Sequence, residues 1–148
     1  MLRGRFGDTS GRPYLEGKVY LPRLGISGDI SFLVDTGADT SVLMPADTVR
    51  LGIDYADLIG DSECVGVGGI SHNFVEPRAV LVFADDKQLY VYNIDLEISA
   101  NDEDLDDLPC LLGRDILSKW KMTYNPTRNR LTFDVLSADA IIPLPPRP

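Results

Sequence analysis

The residues most able to do chemistry lie in Phe32-Leu33-Val34-Asp35-Thr36-Gly37-Ala38-Asp39-Thr40-Ser41, where an apolar strand runs straight into an aspartate followed by a Thr-Gly turn. Burying a carboxylate at the end of such a strand is costly unless hydrogen bonds hold it and solvent or substrate reaches it. Amides of the turn can supply the hydrogen bonds. Gly37 is expected to let the backbone adopt a conformation closed to other residues and to come close to the carboxylate. Two other readings compete. Asp-Thr-Gly can be an ordinary strand-to-loop turn. An aspartate after an apolar strand can also accept a phosphoryl group, but such sites need a second acid two residues on or a lysine directly after. Gly37 and Thr36 occupy those places here.

Two further stretches bear on the choice. Leu111-Leu112-Gly113-Arg114-Asp115 sets two apolar residues and a glycine before a helix, and between the motifs lies the glycine cluster Gly66-Val67-Gly68-Gly69-Ile70. The order apolar-apolar-Asp-Thr-Gly-Ala, then a glycine-rich hairpin, then apolar-apolar-Gly-Arg-Asp resembles the retropepsin family. This family comprises the retroviral-type aspartic peptidases and their cellular relatives. The resemblance runs from about Tyr14 to Val135.

The resemblance implies a role for each matched position. Asp35 corresponds to the catalytic aspartate, Thr36 to the residue whose hydroxyl reaches across a two-fold axis, and Gly37 to a contact with the substrate backbone. Asp39 corresponds to an acid that contacts the peptide main chain and pairs with Arg114, while Gly113 and Arg114 support the site. Gly66, Val67, Gly68 and Ile70 correspond to a flap that closes over bound peptide. Ala38, Val42, Val67, Ile70 and Leu111 fall on pocket-lining positions. The implied fold is all-β with one or two short helices, a closed, barrel-like acid-protease half-domain with a homodimeric active site. Three features depart from the family pattern: Thr40 stands where a second acid is common, residues 85–107 read as a long acidic insertion, and the chain continues through a hairpin to Val135.

The chemistry sets a further requirement. Hydrolysing a peptide with carboxylates needs one ionised group to take a proton from water and one neutral group to donate to the carbonyl oxygen. Like charges about 3 Å apart do not both ionise cheaply, so a close pair holds a single proton. Asp-Thr-Gly occurs once and no second half repeats it, so the second carboxylate must come from a symmetry mate. The expectation is an aspartic endopeptidase acting as a homodimer on peptide or unfolded protein, without a cofactor or metal. The alternative is a catalytically silent module that keeps the fold for dimerisation or peptide binding.

The elements that must position these residues read as strands at Tyr14–Leu21 and Asp29–Val34, with a turn at Gly25–Gly28 between them. A short helix over Pro45–Gly52 has proline in its first turn and glycine past its end. Cys64–Phe83 reads as a long hairpin, and Lys87–Ile98 as a strand whose Tyr90, Tyr92, Ile94, Leu96 and Ile98 alternate with Val91, Asn93, Asp95 and Glu97. Leu108–Leu112 is a buried strand, Arg114 to about Trp120 a helix, and Lys121–Tyr124 with Arg130–Val135 a hairpin. The Asp102–Asp107 run lacks the glycine and spacing of a calcium loop and reads as a solvated loop. His72 reads as a solvent-facing polar residue. Residues 1–13 are taken as an N-terminal extension, 14–136 as the peptidase domain and 137–148 as a proline-rich tail, loose from Ile141.

Composition fits one globular domain: 148 residues, 44% hydrophobic and 25% charged. A net charge of −9 without a basic stretch argues against nucleic acid, whose binding draws on clustered Lys and Arg. Two cysteines, Cys64 and Cys110, make neither a disulfide framework nor a four-ligand zinc site. No apolar run is long enough to span a bilayer and none follows Arg5 as a secretory signal would. The expectation is therefore a cytoplasmic protein with no membrane partner.

Overall fold

The structure, a computed structural model, describes residues 1–66 and 69–146, with the backbone alone for residues 63–66 and 69–71. In chain order the elements are β1 (Leu2–Arg3), β2 (Arg5–Phe6), β3 (Pro13–Leu21), β4 (Ile26–Val34), β5 (Val42–Leu43), α1 (Pro45–Arg50), β6 (Ser62–Gly66), β7 (Gly69–Ala84), β8 (Gln88–Ser99), β9 (Cys110–Leu112), α2 (Arg114–Leu117), β10 (Trp120–Asn125), β11 (Arg130–Val135) and β12 (Ala140–Pro143). Six of these strands close on themselves in the order β8-β5-β9-β4-β3-β7, with β7 returning to β8. The result is the all-β closed barrel that the resemblance implies. Closure leaves these six strands without a free edge between them.

One pairing fixes the site. β4 and β9 run parallel, with Phe32 opposite Cys110, Leu33 opposite Leu111 and Val34 opposite Leu112. Both strands therefore end at the same level, and Asp35 leaves the barrel beside Gly113. The two-residue β5 wedges in next, pairing parallel with β8 and antiparallel with β9 through Val42 and Leu111. β5 is too short to give a periodic signal, and the sequence reading has no strand there.

The core is aromatic where the barrel meets a second, three-stranded sheet of order β1-β11-β10. Trp120 stands edge-on to Phe83 and Phe133, with ring centroids 5.0 and 5.2 Å apart, a favoured arrangement for aromatic pairs. Its indole N–H donates to Tyr92 Oη at 2.7 Å, and Tyr92 donates in turn to the Ser137 carbonyl at 2.8 Å. The polar ends of both buried rings are thereby satisfied.

Several expectations need correction. The turn after β3 is a 3-10 turn at Pro22–Leu24 ending on Gly25 at φ 66°, and β4 begins at Ile26, inside the segment read as the turn. Both helices are shorter than their patterns suggest. Most of the segment read as an insertion, 85–107, is β8, a barrel strand. The alternation of β8 breaks at its end: Leu96, Glu97, Ile98 and Ser99 are all buried, so both faces of the strand are covered there. Glu97, expected on a polar face, accepts hydrogen bonds from Ser62 Oγ at 2.8 Å and Asn73 Nδ2 at 3.3 Å. Ala140–Pro143, most of it read as loose tail, pairs with β8. At the other end Leu2 is fully buried, in a strand paired with β11.

Cys110 is fully buried at the start of β9. Burial pushes its thiol well above the ordinary range, and its hydrogen bond to Asp47 Oδ2 at 3.0 Å adds to the shift. A thiol kept from ionising is a poor nucleophile. In a Cys64→Ser background, Cys110 is expected to resist an aromatic disulfide reagent in the native protein and to react fully once unfolded. Rapid native-state labelling would contradict this placement.

Candidate active site

Asp35 sits at the C-terminal end of β4, half-buried. Its backbone N–H donates to the Leu112 carbonyl at 3.0 Å, which extends the parallel β4–β9 ladder by one bond into the loop. Its Oδ1 accepts from the Gly37 N–H at 2.9 Å, and its carbonyl accepts from the Ala38 N–H at 3.2 Å. The turn thus folds back on the carboxylate and orients it. Gly37 is not among the glycines with positive φ, so the expected special conformation is corrected. Glycine suits the position for another reason: a Cβ there would stand 3.2 Å from Asp35 Oδ1 and crowd the acceptor.

The second motif grips this loop from below. Gly113 caps α2, and the next residue, Arg114, donates from its backbone N to the Ala38 carbonyl at 2.9 Å. The Arg114 guanidinium donates through Nη1 to the Thr36 carbonyl at 2.7 Å and through Nη2 to Asp39 Oδ1. The Asp39 side chain is 86% exposed, so this ion pair adds little stability by itself. Its effect is geometric: one planar group holds both ends of the 36–39 turn.

Ser41 and Asp115 form a partly buried lock that is not singled out in the sequence. The fully buried Ser41 donates from Oγ to Asp115 Oδ1 at 2.8 Å and from its backbone N to Oδ2 at 3.0 Å. Ser41 Oγ also accepts from the Gly113 N–H at 3.0 Å. Both residues belong to the two motifs, and a polar residue just before the apolar Val42-Leu43 pair is the signal that could have marked Ser41. The approach is so close that a Cβ on Gly113 would lie 2.5 Å from the Thr40 carbonyl carbon and oxygen.

The site residues read from the sequence are placed as follows. Asp35, Thr36, Gly37, Ala38, Asp39, Gly113 and Arg114 converge on one loop–helix junction. Thr36 and Gly37 are exposed, Ala38 half-buried. Val42 is buried and opposes Leu111, which is half-buried, across the β5–β9 pair. Gly66 pairs with Gly69 at the end of the β6–β7 hairpin. Val67 and Gly68 lie outside the described residues, as does the side chain of Ile70. His72 is exposed, with Nδ1 3.4 Å from Asp61 Oδ1. Among the described residues no group of His, Cys, Asp and Glu is arranged to hold a metal ion, and no helix is long and apolar enough to cross a membrane.

A barrel that presents an Asp-Thr-Gly turn beside a Gly-Arg-Asp helix start has the architecture of an aspartic-protease protomer. Residues 10–125 match the retroviral aspartyl protease family, and the chain belongs to that family. Its fold is similar to the crystal structure of a retropepsin-like aspartic protease from Rickettsia conorii, with a TM-score of 0.54 and 20% identity, covering 90% of this chain and 88% of that one. EIAV protease complexed with the inhibitor HBY-793 aligns with a TM-score of 0.47 and 23% identity, over 76% of this chain and 90% of that one. Comparison with curated proteins gives no match.

Proposed function

We propose that the protein is an aspartic endopeptidase whose active site forms when two protomers each contribute Asp35. The observation that carries this reading is the orientation of the Asp35 carboxylate. It is half-buried, hydrogen-bonded on Oδ1 by its own turn, and rigidly backed by Gly113 and Arg114. Catalytic groups work best when held by such fixed surroundings. Membership of the family supports the same reading.

Two facing Asp35 carboxylates hold one proton between them. The ionised one takes a proton from a bound water as that water's oxygen attacks the peptide carbonyl carbon. The protonated one gives its proton to the carbonyl oxygen, producing a tetrahedral gem-diol. Proton transfer to the amide nitrogen then breaks the C–N bond and releases an acid and an amine. Thr36 acts at the junction between protomers. Gly37 and Asp39 bind the substrate main chain, while Ala38, Val42 and Leu111 line side-chain pockets. The hairpin tip at Gly66, Val67, Gly68 and Ile70 closes over the peptide.

The test is digestion of a diverse peptide library between about pH 4 and pH 7, a range chosen to bracket a carboxylate pair sharing a proton. Wild type is run beside Asp35→Asn at high protein concentration. Cuts made by the wild type alone support the reading. Absence of cuts by protein shown to be dimeric overturns it.

A further inference from the structure

We propose that the outer face of the sheet β1-β11-β10 carries an anion site that takes a chain of linked phosphates, alone or as part of a nucleotide. The site lies apart from Asp35 and does not depend on the two-carboxylate reading.

Strand alternation sorts this sheet into two faces. Leu2, Phe133, Leu131 and Trp120 are buried on the inner one. The outer face is polar. Residues directly opposite share a face, so Arg3, Thr132 and Thr123 stand in one row across the three strands, with Thr132 in the middle. Arg130 is two residues from Thr132 along β11 and faces the same way. A 3-10 turn at Pro126–Arg128 joins β10 to β11 and brings Arg128 to the same end. The three arginines, both threonines and Asp134 line one hollow of about 600 Å³. That size is usual for a small-ligand pocket.

Charge sets the hollow apart from the rest of the chain. The protein carries −9, yet this face brings three arginines and Lys121 together with one carboxylate, Asp134, which stands opposite Lys121. Among the described residues none of the three guanidiniums lies within ion-pair distance of a carboxylate, whereas Arg5, Arg23, Arg50 and Arg114 each do. Cations held together without a counter-charge repel one another, and a bound anion relieves that repulsion.

The lining selects among anions. Guanidinium forks match phosphate oxygens two at a time, and several forks suit a ligand with several charges. Half-buried Thr123 and Thr132 add hydroxyl donors at the floor. A single phosphate would fill only a small part of the volume. An acidic peptide would anchor through apolar side chains as well, and the row beside the arginines offers hydroxyls instead. A bound oligophosphate bridges Arg3 on β1 to Arg128 and Arg130 on the hairpin, tying the N-terminal strand to the sheet.

Isothermal titration of the full chain with sodium tripolyphosphate at low salt provides the test. Wild type is expected to bind one equivalent saturably. The double variant Arg128→Gln/Arg130→Gln should weaken binding at least about ten-fold, the scale of one lost charge-assisted hydrogen bond. Arg12→Gln, at an exposed arginine outside the hollow, should leave it unchanged. All three altered side chains are exposed, and a thermal melt without ligand confirms folding. Should the double variant fail to fold, Arg128→Gln and Arg130→Gln are read singly in the same way. ATP without magnesium is titrated alongside. Tighter binding of ATP assigns a nucleotide, equal or weaker binding a phosphate chain alone, and either supports the site. No saturable binding of tripolyphosphate up to about 1 mM, or binding that the arginine variants leave intact, overturns the proposal. Tighter binding of a penta-aspartate peptide than of tripolyphosphate overturns the phosphate assignment in favour of an acidic protein segment.

Discussion

Asp35→Asn is expected to reduce peptide cleavage by at least about 1000-fold, the scale of a lost general acid–base step, while the protomer stays folded. An amide has no basic site to take a proton from water and cannot share a proton with the partner carboxylate, so both halves of the reaction fail together. The fold should not notice the change. The Oδ1 of asparagine can still accept from the Gly37 N–H, and the backbone bond from residue 35 to the Leu112 carbonyl does not involve the side chain. Initial rates on a library-derived peptide and a thermal melt of the same sample measure the two outcomes. Substantial residual cleavage would remove Asp35 from the reaction.

Gly113→Ala is expected to destabilise the protomer by about 2–3 kcal/mol, as overfilling a tightly packed site does. The backbone there is extended at φ −96° and ψ −175°, which alanine adopts without strain. The cost is contact alone. The new Cβ would lie 2.5 Å from the Thr40 carbonyl carbon and oxygen and 3.0 Å from the Ala38 oxygen, all backbone atoms with no rotamer to yield. Relieving the clash pushes the 38–40 segment away from α2. It pulls at the bonds from Arg114 N to the Ala38 carbonyl and from Gly113 N to Ser41 Oγ, and activity should fall with stability. Urea unfolding followed by tryptophan fluorescence measures the loss, with Trp120 as the reporter. A change under about 0.5 kcal/mol, the range of an ordinary surface substitution, would contradict the close approach of the two motifs.

The site was more legible in the sequence than the barrel that carries it. Asp35-Thr36-Gly37 and Gly113-Arg114 are local strings whose residue types answer local needs: a turn amide for a carboxylate, a missing Cβ at a crossing, a guanidinium for one carbonyl and one carboxylate. The long strand β8 also announces itself, because its alternation from Tyr90 survives over many residues. Short strands do not. β5 is two residues that count only because barrel strands flank them on both sides, and no window of sequence sees that. β12 is hidden by its prolines, although three residues precede Pro143 and suffice to pair with β8. Glu97 misleads because the alternation rule assumes one solvated face, and at the closing end of the barrel neither face of β8 is solvated. Ser41 and Asp115 are far apart in sequence, so their lock emerges only when the parallel β4–β9 pair sets both loops at one level.

The central claim, one active site built from two chains, is tested most directly by mixing. Wild-type protein is combined with a nine-fold excess of Asp35→Asn, and the two are allowed to exchange subunits before peptide cleavage is measured. If a site needs two Asp35 side chains, random assortment leaves few wild-type pairs, and cleavage per wild-type chain should fall about ten-fold. Cleavage per wild-type chain that stays constant, with subunit exchange shown by differently tagged chains, would mean that each protomer works alone and would contradict the account.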